Sequence, residues 1–157
     1  GSGDGVVSEP RGRRRARCEK LGARVVDPAD LTTPAMPFDT VDEPFDVALE
    51  CSGNGRAQES ALAQLKRGGT LVLVGAGMAR PKFDPNRILL NELVITGAFV
   101  YDFDGFPRAL EMLASGNLTN DLLVAQEDYP LNRLLHPAIG LPARHLPAQP
   151  VLAPRTS

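Results

Sequence analysis

The chain has 157 residues, the length of about one domain. Its 17 basic and 19 acidic side chains leave a net charge of −2, which argues against a nucleic-acid binder, since these usually show a strongly basic face. Leu, Ile, Val and Phe make up about 27% of residues, above the roughly 20% below which chains stay disordered, so a packed core is expected.

The longest uninterrupted apolar run, Leu71 to Ala79, falls far short of the roughly 20 residues that span a bilayer, and no basic-then-apolar leader opens the chain. No membrane partner is therefore expected. Two cysteines, Cys18 and Cys51, make neither a disulfide scaffold nor a cysteine-built zinc site. The expectation is a soluble, cytoplasmic protein. The chain opens on Gly1 rather than Met, which reads as a fragment or a processed piece.

The first predicted element is a strand end at Val6-Val7-Ser8, closed by Glu9. Pro10 suits the first turn of a helix, and the helix then runs through Leu21 to stop at Gly22. Val25-Val26 is a short strand. Pro28, Pro34, Pro37 and Pro44 make residues 28–44 an extended loop. Phe45, Val47 and Leu49 alternate with Asp46, Ala48 and Glu50, the period of a strand. Ser52 to Gly55 is a turn, and Ala57 to Leu65 a helix ended by Gly68-Gly69. Thr70 to Val74 is a continuous apolar strand of the kind covered on both faces, followed by the tight turn Gly75-Ala76-Gly77. A short helix over Asn86 to Asn91, a strand over Leu93 to Val100 and a helix over Phe106 to Ala114 capped by Gly116 complete the pattern. The alternation predicts an α/β protein, with a parallel sheet and helices on both faces. Five prolines in residues 136–157 predict an irregular tail.

In open parallel sheets, ligands bind at the carboxyl ends of the strands. Three such ends carry polar or glycine residues: Glu9, then Cys51-Ser52-Gly53, then Gly75-Ala76-Gly77. Glycines there let a flat ligand approach the backbone, and an acid ending the second strand can accept the ribose hydroxyls of a nicotinamide dinucleotide. The opening Gly1-Ser2-Gly3-Asp4-Gly5 is not a phosphate loop, because no strand precedes it and no helix follows. Seven basic side chains over residues 11–24 face seven acids over residues 25–50. Solvated faces account for this; a phosphate site on the arginines is the competing reading. Asp102 and Asp104 read as a solvated loop. His136 and His145 have no Cys, Asp or Glu at metal-ligand spacing, so neither a metal site nor a catalytic residue is assigned.

Four blocks carry a resemblance: Phe45 to Asn54, Arg67 to Gly75, Asp84 to Leu93, and Thr96 to Phe99. Together they resemble the cofactor-binding half of zinc-type medium-chain alcohol dehydrogenases, near the sorbitol and threonine dehydrogenases, over roughly residues 6–135. The resemblance implies a partial NAD(P)-binding domain over residues 1–135 and a proline-rich tail over residues 136–157. The implied fold is an incomplete doubly wound, Rossmann-like parallel sheet, without its first strand and glycine-rich turn. By position, Glu9 matches the acid holding the adenosine ribose, and Cys51, Ser52 and Gly53 the segment lining the adenine and ribose side. Val74, Gly75 and Ala76 match the strand end whose backbone meets the nicotinamide. Ala98 and Phe99 match the backbone holding the carboxamide. The cofactor implied is NAD, with NADP open through Arg11 and Arg13.

The strand at Thr96 to Tyr101 is where family members pair sheets in a homodimer. The family's zinc ligands belong to a catalytic domain that has no counterpart in this sequence. The implied reaction is hydride transfer between an alcohol substrate and nicotinamide, with this piece inactive by itself. Leu146 to Pro154 echoes the family's closing strand, although Gln149 stands where Lys is usual and Pro150 removes a ladder hydrogen bond. Two further readings are a stand-alone nucleotide-binding or regulatory module and a non-functional remnant. A methyltransferase is disfavoured by the Asp84 to Leu93 block.

Overall fold

A computed structural model describes residues 5–116, 124–130 and 149–153. His136, His145, most of the proline-rich tail and the first four residues of the opening glycine run lie outside the described residues. The chain divides into two compact units, Val26–Tyr101 and one built from its two ends.

In the terminal unit, strand β1 (Val6–Ser8) pairs with β2 (Arg24–Val26) in a two-stranded sheet, with helix α1 (Gly12–Lys20) between them in sequence. The helix starts two residues after Pro10 and ends as expected, with Gly22 at φ +85, a conformation that costs a glycine nothing. Arg17 and Lys20 in the last turn suit the negative end of the helix dipole. The first turn carries no acid. Glu9 supplies the missing charge from just ahead of it, accepting from Arg11 N at 3.0 Å and pairing with Arg14 at 3.8 Å. Helix α4 (Gly105–Ala114) follows the predicted boundaries to within a residue. Strands β6 (Val124–Pro130) and β7 (Gln149–Ala153) pair in parallel.

Strand β7 lies within Leu146 to Pro154, the segment that echoes the family's closing strand. Pro150 falls where the register slips, between the Val124↔Gln149 and Asp128↔Val151 pairs. It therefore stands at the position where a missing N–H disturbs no regular ladder.

The central unit is a three-stranded parallel sheet in the order β3 (Phe45–Glu50), β4 (Leu65–Leu73), β5 (Val94–Gly97). Helix α2 (Gly55–Ala63) connects the first pair and α3 (Pro85–Leu90) the second. Asn54 caps α2 by accepting from Arg56 N and Ala57 N. Asp84 caps α3 by accepting from Asn86 N, with Pro85 at the first helical position. Leu71 is fully buried between Ala48 and Ile95 on the neighbouring strands, and packs with Leu62, Leu65 and Leu93. Ala61 of α2 and Ile88 of α3 join this one cluster, so both helices cover the same face. Right-handed crossovers that step in one direction along a sheet fall on one side, and 3-4-5 is such a run. The opposite face carries Val47, Leu49 and Val94, all exposed. Coverage of both faces, as expected for Thr70 to Val74, is not found in this unit.

Two boundaries also differ from expectation. Strand β4 begins at Leu65 and contains Gly68-Gly69, which were read as a helix end. Gly68 takes φ +71, and the register slips between the Phe45↔Leu65 and Val47↔Thr70 pairs, so the glycines form a bulge. Strand β5 stops at Gly97, short of Val100, and Val100 itself turns to φ +54, a conformation β-branched residues rarely adopt. The proline-rich loop is fastened from α3. Arg87, buried, donates to the carbonyls of Pro34, Met36 and Asp39 at 2.9–3.0 Å, and Asn91 donates to Pro37 at 2.7 Å.

Candidate functional site: the carboxyl rim of the central sheet

Parallel pairing places Glu50, Leu73 and Gly97 in one row across β3, β4 and β5. The residues that follow each of them therefore leave the sheet at one rim. The structure so brings together Cys51, Ser52 and Gly53, then Val74, Gly75 and Ala76, then Ala98 and Phe99. Glu9 belongs to the terminal unit, at the end of β1. It is half-buried, and Arg15 donates to its carbonyl at 2.7 Å. A carboxylate offers about four acceptor sites, so capacity remains beside its bonds to Arg11 and Arg14.

At the rim, Cys51, Ser52, Val74, Ala76, Ala98 and Phe99 are exposed, whereas Gly53 is buried. The glycines have a different reason from the one their sequence suggests. A Cβ on Gly53 would run into the Ala76 carbonyl, one on Gly75 into the backbone of Gly53 and Cys51, and one on Gly77 into Gly53 O. The two turns lie backbone against backbone, and only glycine allows that approach. Gly53 also takes φ +67. Thus these glycines serve the contact between turns, and the exposed surface of the rim comes from their neighbours. Val74 N and Gly75 N both donate to Glu50 O, at 2.9 and 2.8 Å, and Ala98 N donates to Leu73 O at 2.9 Å.

Sequence reading passed over Glu50, the residue that shapes the rim. Its side chain is almost fully buried. One carboxylate oxygen accepts from Ser52 N at 2.8 Å and from the Ser52 hydroxyl; the other accepts from Gly53 N at 3.0 Å and Gln58 Nε2 at 3.5 Å. Burial alone would raise its pKa, but the bonds from Ser52, Gly53 and Gln58 outweigh burial and hold the carboxyl below its ordinary range. The available signal was an acid ending a strand two residues before Ser-Gly, since a carboxylate there has donors close at hand. Asp46, at the other end of β3, is held low by its ion pair with Lys66. It lies on the surface, far along the strand from the rim.

The arrangement fits a flat, partly polar ligand laid across the ends of parallel strands, as a nucleotide is. Among the described residues no three His, Cys, Asp or Glu side chains gather as a metal-binding group. Among the same residues, no helix is long and apolar enough to cross a membrane.

Comparison with known proteins gives one consistent result. The model of a family described as "zinc-binding dehydrogenase" matches residues 5–115. A 2-dehydro-3-deoxy-L-galactonate 5-dehydrogenase of Pseudoalteromonas atlantica is 33% identical over 114 residues, covering 72% of this chain and 33% of that protein. A sorbitol dehydrogenase of Bacillus subtilis is 32% identical over 130 residues, covering 81% of this chain and 36% of that protein. The crystal structure of an L-idonate 5-dehydrogenase from Escherichia coli superposes with a TM-score of 0.76 at 25% identity, over 94% of this chain and 42% of that one. The chain therefore spans about a third of the length of these curated relatives.

Proposed function

We propose that this chain, which belongs to the zinc-binding dehydrogenase family, is the cofactor-positioning part of an NAD(P)-dependent alcohol or polyol dehydrogenase. The carrying observation is the single rim at which Cys51–Gly53, Val74–Ala76 and Ala98–Phe99 emerge from three parallel strands. A nicotinamide dinucleotide supplies the hydride acceptor in such a reaction. The protein's part is to lay it across the rim and orient it. Ser52 and the exposed backbone of the two turns take its polar groups. Glu9, which the family resemblance matches to the ribose-holding acid, favours NAD over NADP. The substrate class is a polyhydroxylated alcohol, in line with the sugar-acid and sorbitol dehydrogenases among the relatives. By itself this chain binds cofactor without oxidising alcohols. The protein acts in the cytoplasm as a homodimer joined through β5, an outer strand of the central sheet.

NADH titration of the full chain, followed by cofactor fluorescence, tests this reading. The absence of tryptophan leaves that signal clean. The expected result is saturable binding, displaced by NAD⁺ and weaker for NADPH. No binding at millimolar cofactor overturns the role. Light scattering on the same samples checks the dimer, which a monomer at all concentrations refutes.

A further inference from the structure

A strand, a glycine turn and a helix in succession make the arrangement in which backbone N–H groups collect around a phosphate. Residues 50–58 have that form: β3, then Ser52-Gly53-Asn54, then α2. Here the N–H groups already have partners. Ser52 N and Gly53 N point at the Glu50 carboxylate, Asn54 N at the Ser52 hydroxyl, Arg56 N and Ala57 N at Asn54 Oδ1, and Gln58 N at the Asn54 carbonyl. Glu50 is anchored from behind as well, since its carbonyl takes Val74 N and Gly75 N.

We propose that Glu50 is a positioning residue that acts as an internal anion: its carboxylate fills the anion cradle of the β3–α2 turn and closes that turn to phosphate groups. Three observations carry this. The carboxylate is almost fully buried and takes four donors from the turn and α2, about its full acceptor capacity. Every one of these donors is uncharged, so the negative charge stays at the rim without a neutralising partner. The same turn packs on Gly75 and Gly77, so filling it sets the shape of both strand ends. Hydrogen bonds to the carboxylate keep it ionised at neutral pH. Resting on the dinucleotide reading above, the inference keeps the cofactor's phosphates out of this turn.

The test is amide NMR on the full chain, wild type and Glu50→Ala, with inorganic phosphate and NAD⁺ as separate probes. In the wild type, the Ser52 and Gly53 amides are expected to exchange as slowly as the buried β4 amides and to keep their shifts as phosphate is added. In Glu50→Ala, the emptied cradle is expected to bind phosphate. Added phosphate then shifts those two amides saturably and slows their exchange, which a merely structural role would not produce. Phosphate-dependent shifts of Ser52 and Gly53 in the wild type overturn the proposal, as do fast exchange there or a folded Glu50→Ala that ignores phosphate. If Glu50→Ala does not fold, the wild-type measurements decide. Protected, phosphate-blind amides together with no response to NAD⁺ anywhere uphold the filled cradle and overturn the dinucleotide reading.

Discussion

Gly53 and Gly68 carry nearly the same backbone angle, φ +67 and φ +71, inside the same unit. They differ in what surrounds them. A Cβ on Gly68 would meet nothing within 4 Å, whereas one on Gly53 would collide with the carbonyl of Ala76. Alanine at either position takes the left-handed penalty of about 1–2 kcal/mol. At Gly53 it must also force two turns apart, an overpacking cost of about 1–3 kcal/mol. Gly68→Ala is therefore expected to cost about 1–2 kcal/mol, and Gly53→Ala about 2–5 kcal/mol in all. Urea unfolding of the full chain, followed by far-ultraviolet circular dichroism, measures both. The Gly53 variant should also lose NADH affinity, while the Gly68 variant keeps it. Equal unfolding midpoints for the two would refute the backbone contact between the turns.

Leu71→Ala empties the centre of the core and is expected to cost about 2–5 kcal/mol, read as a lower urea midpoint. Arg87→Met takes a charged donor from three carbonyls; the expected loss is about 3 kcal/mol, with faster thermolysin cleavage near residues 34–39. Glu50 has a carboxyl pKa lower in the folded chain than its ordinary value of 4.5. Its contribution to stability is therefore complete above that pH and is lost as the pH falls through the folded value. An acid titration of the wild type should show this decline, and Glu50→Gln should flatten it.

Much of the central sheet was legible because its strands announce themselves. Phe45 to Glu50 alternates, Thr70 to Leu73 is unbroken apolar, and the glycine turns after them mark the rim. The elements that escaped depend on longer-range causes. Gly68-Gly69 reads locally as a helix stop, and only pairing with Phe45 recruits Leu65 and turns the glycines into a bulge. Val100 favours a strand by composition, so nothing local foretells its φ of +54. Strand β6 went unread, and β7 was discounted for prolines that its irregular pairing accommodates. At the site, the exposed rim residues were legible from position. Glu50 was not, because an alternating strand makes an acid at its last position look solvent-facing. The glycines were legible as special, but their purpose emerged only from the distance between two turns far apart in sequence.

The fastening of the proline-rich loop bears on the order in which the chain assembles. Its carbonyls wait for Arg87, which lies 48 to 53 residues further along. During synthesis the loop emerges well before the side chain that dictates its path. Its prolines allow one 3-10 turn at Pro28–Asp30 and bar a longer α-helix meanwhile. Closing so long a segment carries an entropy cost that only a formed α3 repays. The loop is therefore expected to dock late in folding, so loosening it should quicken unfolding while leaving the rate of refolding nearly unchanged.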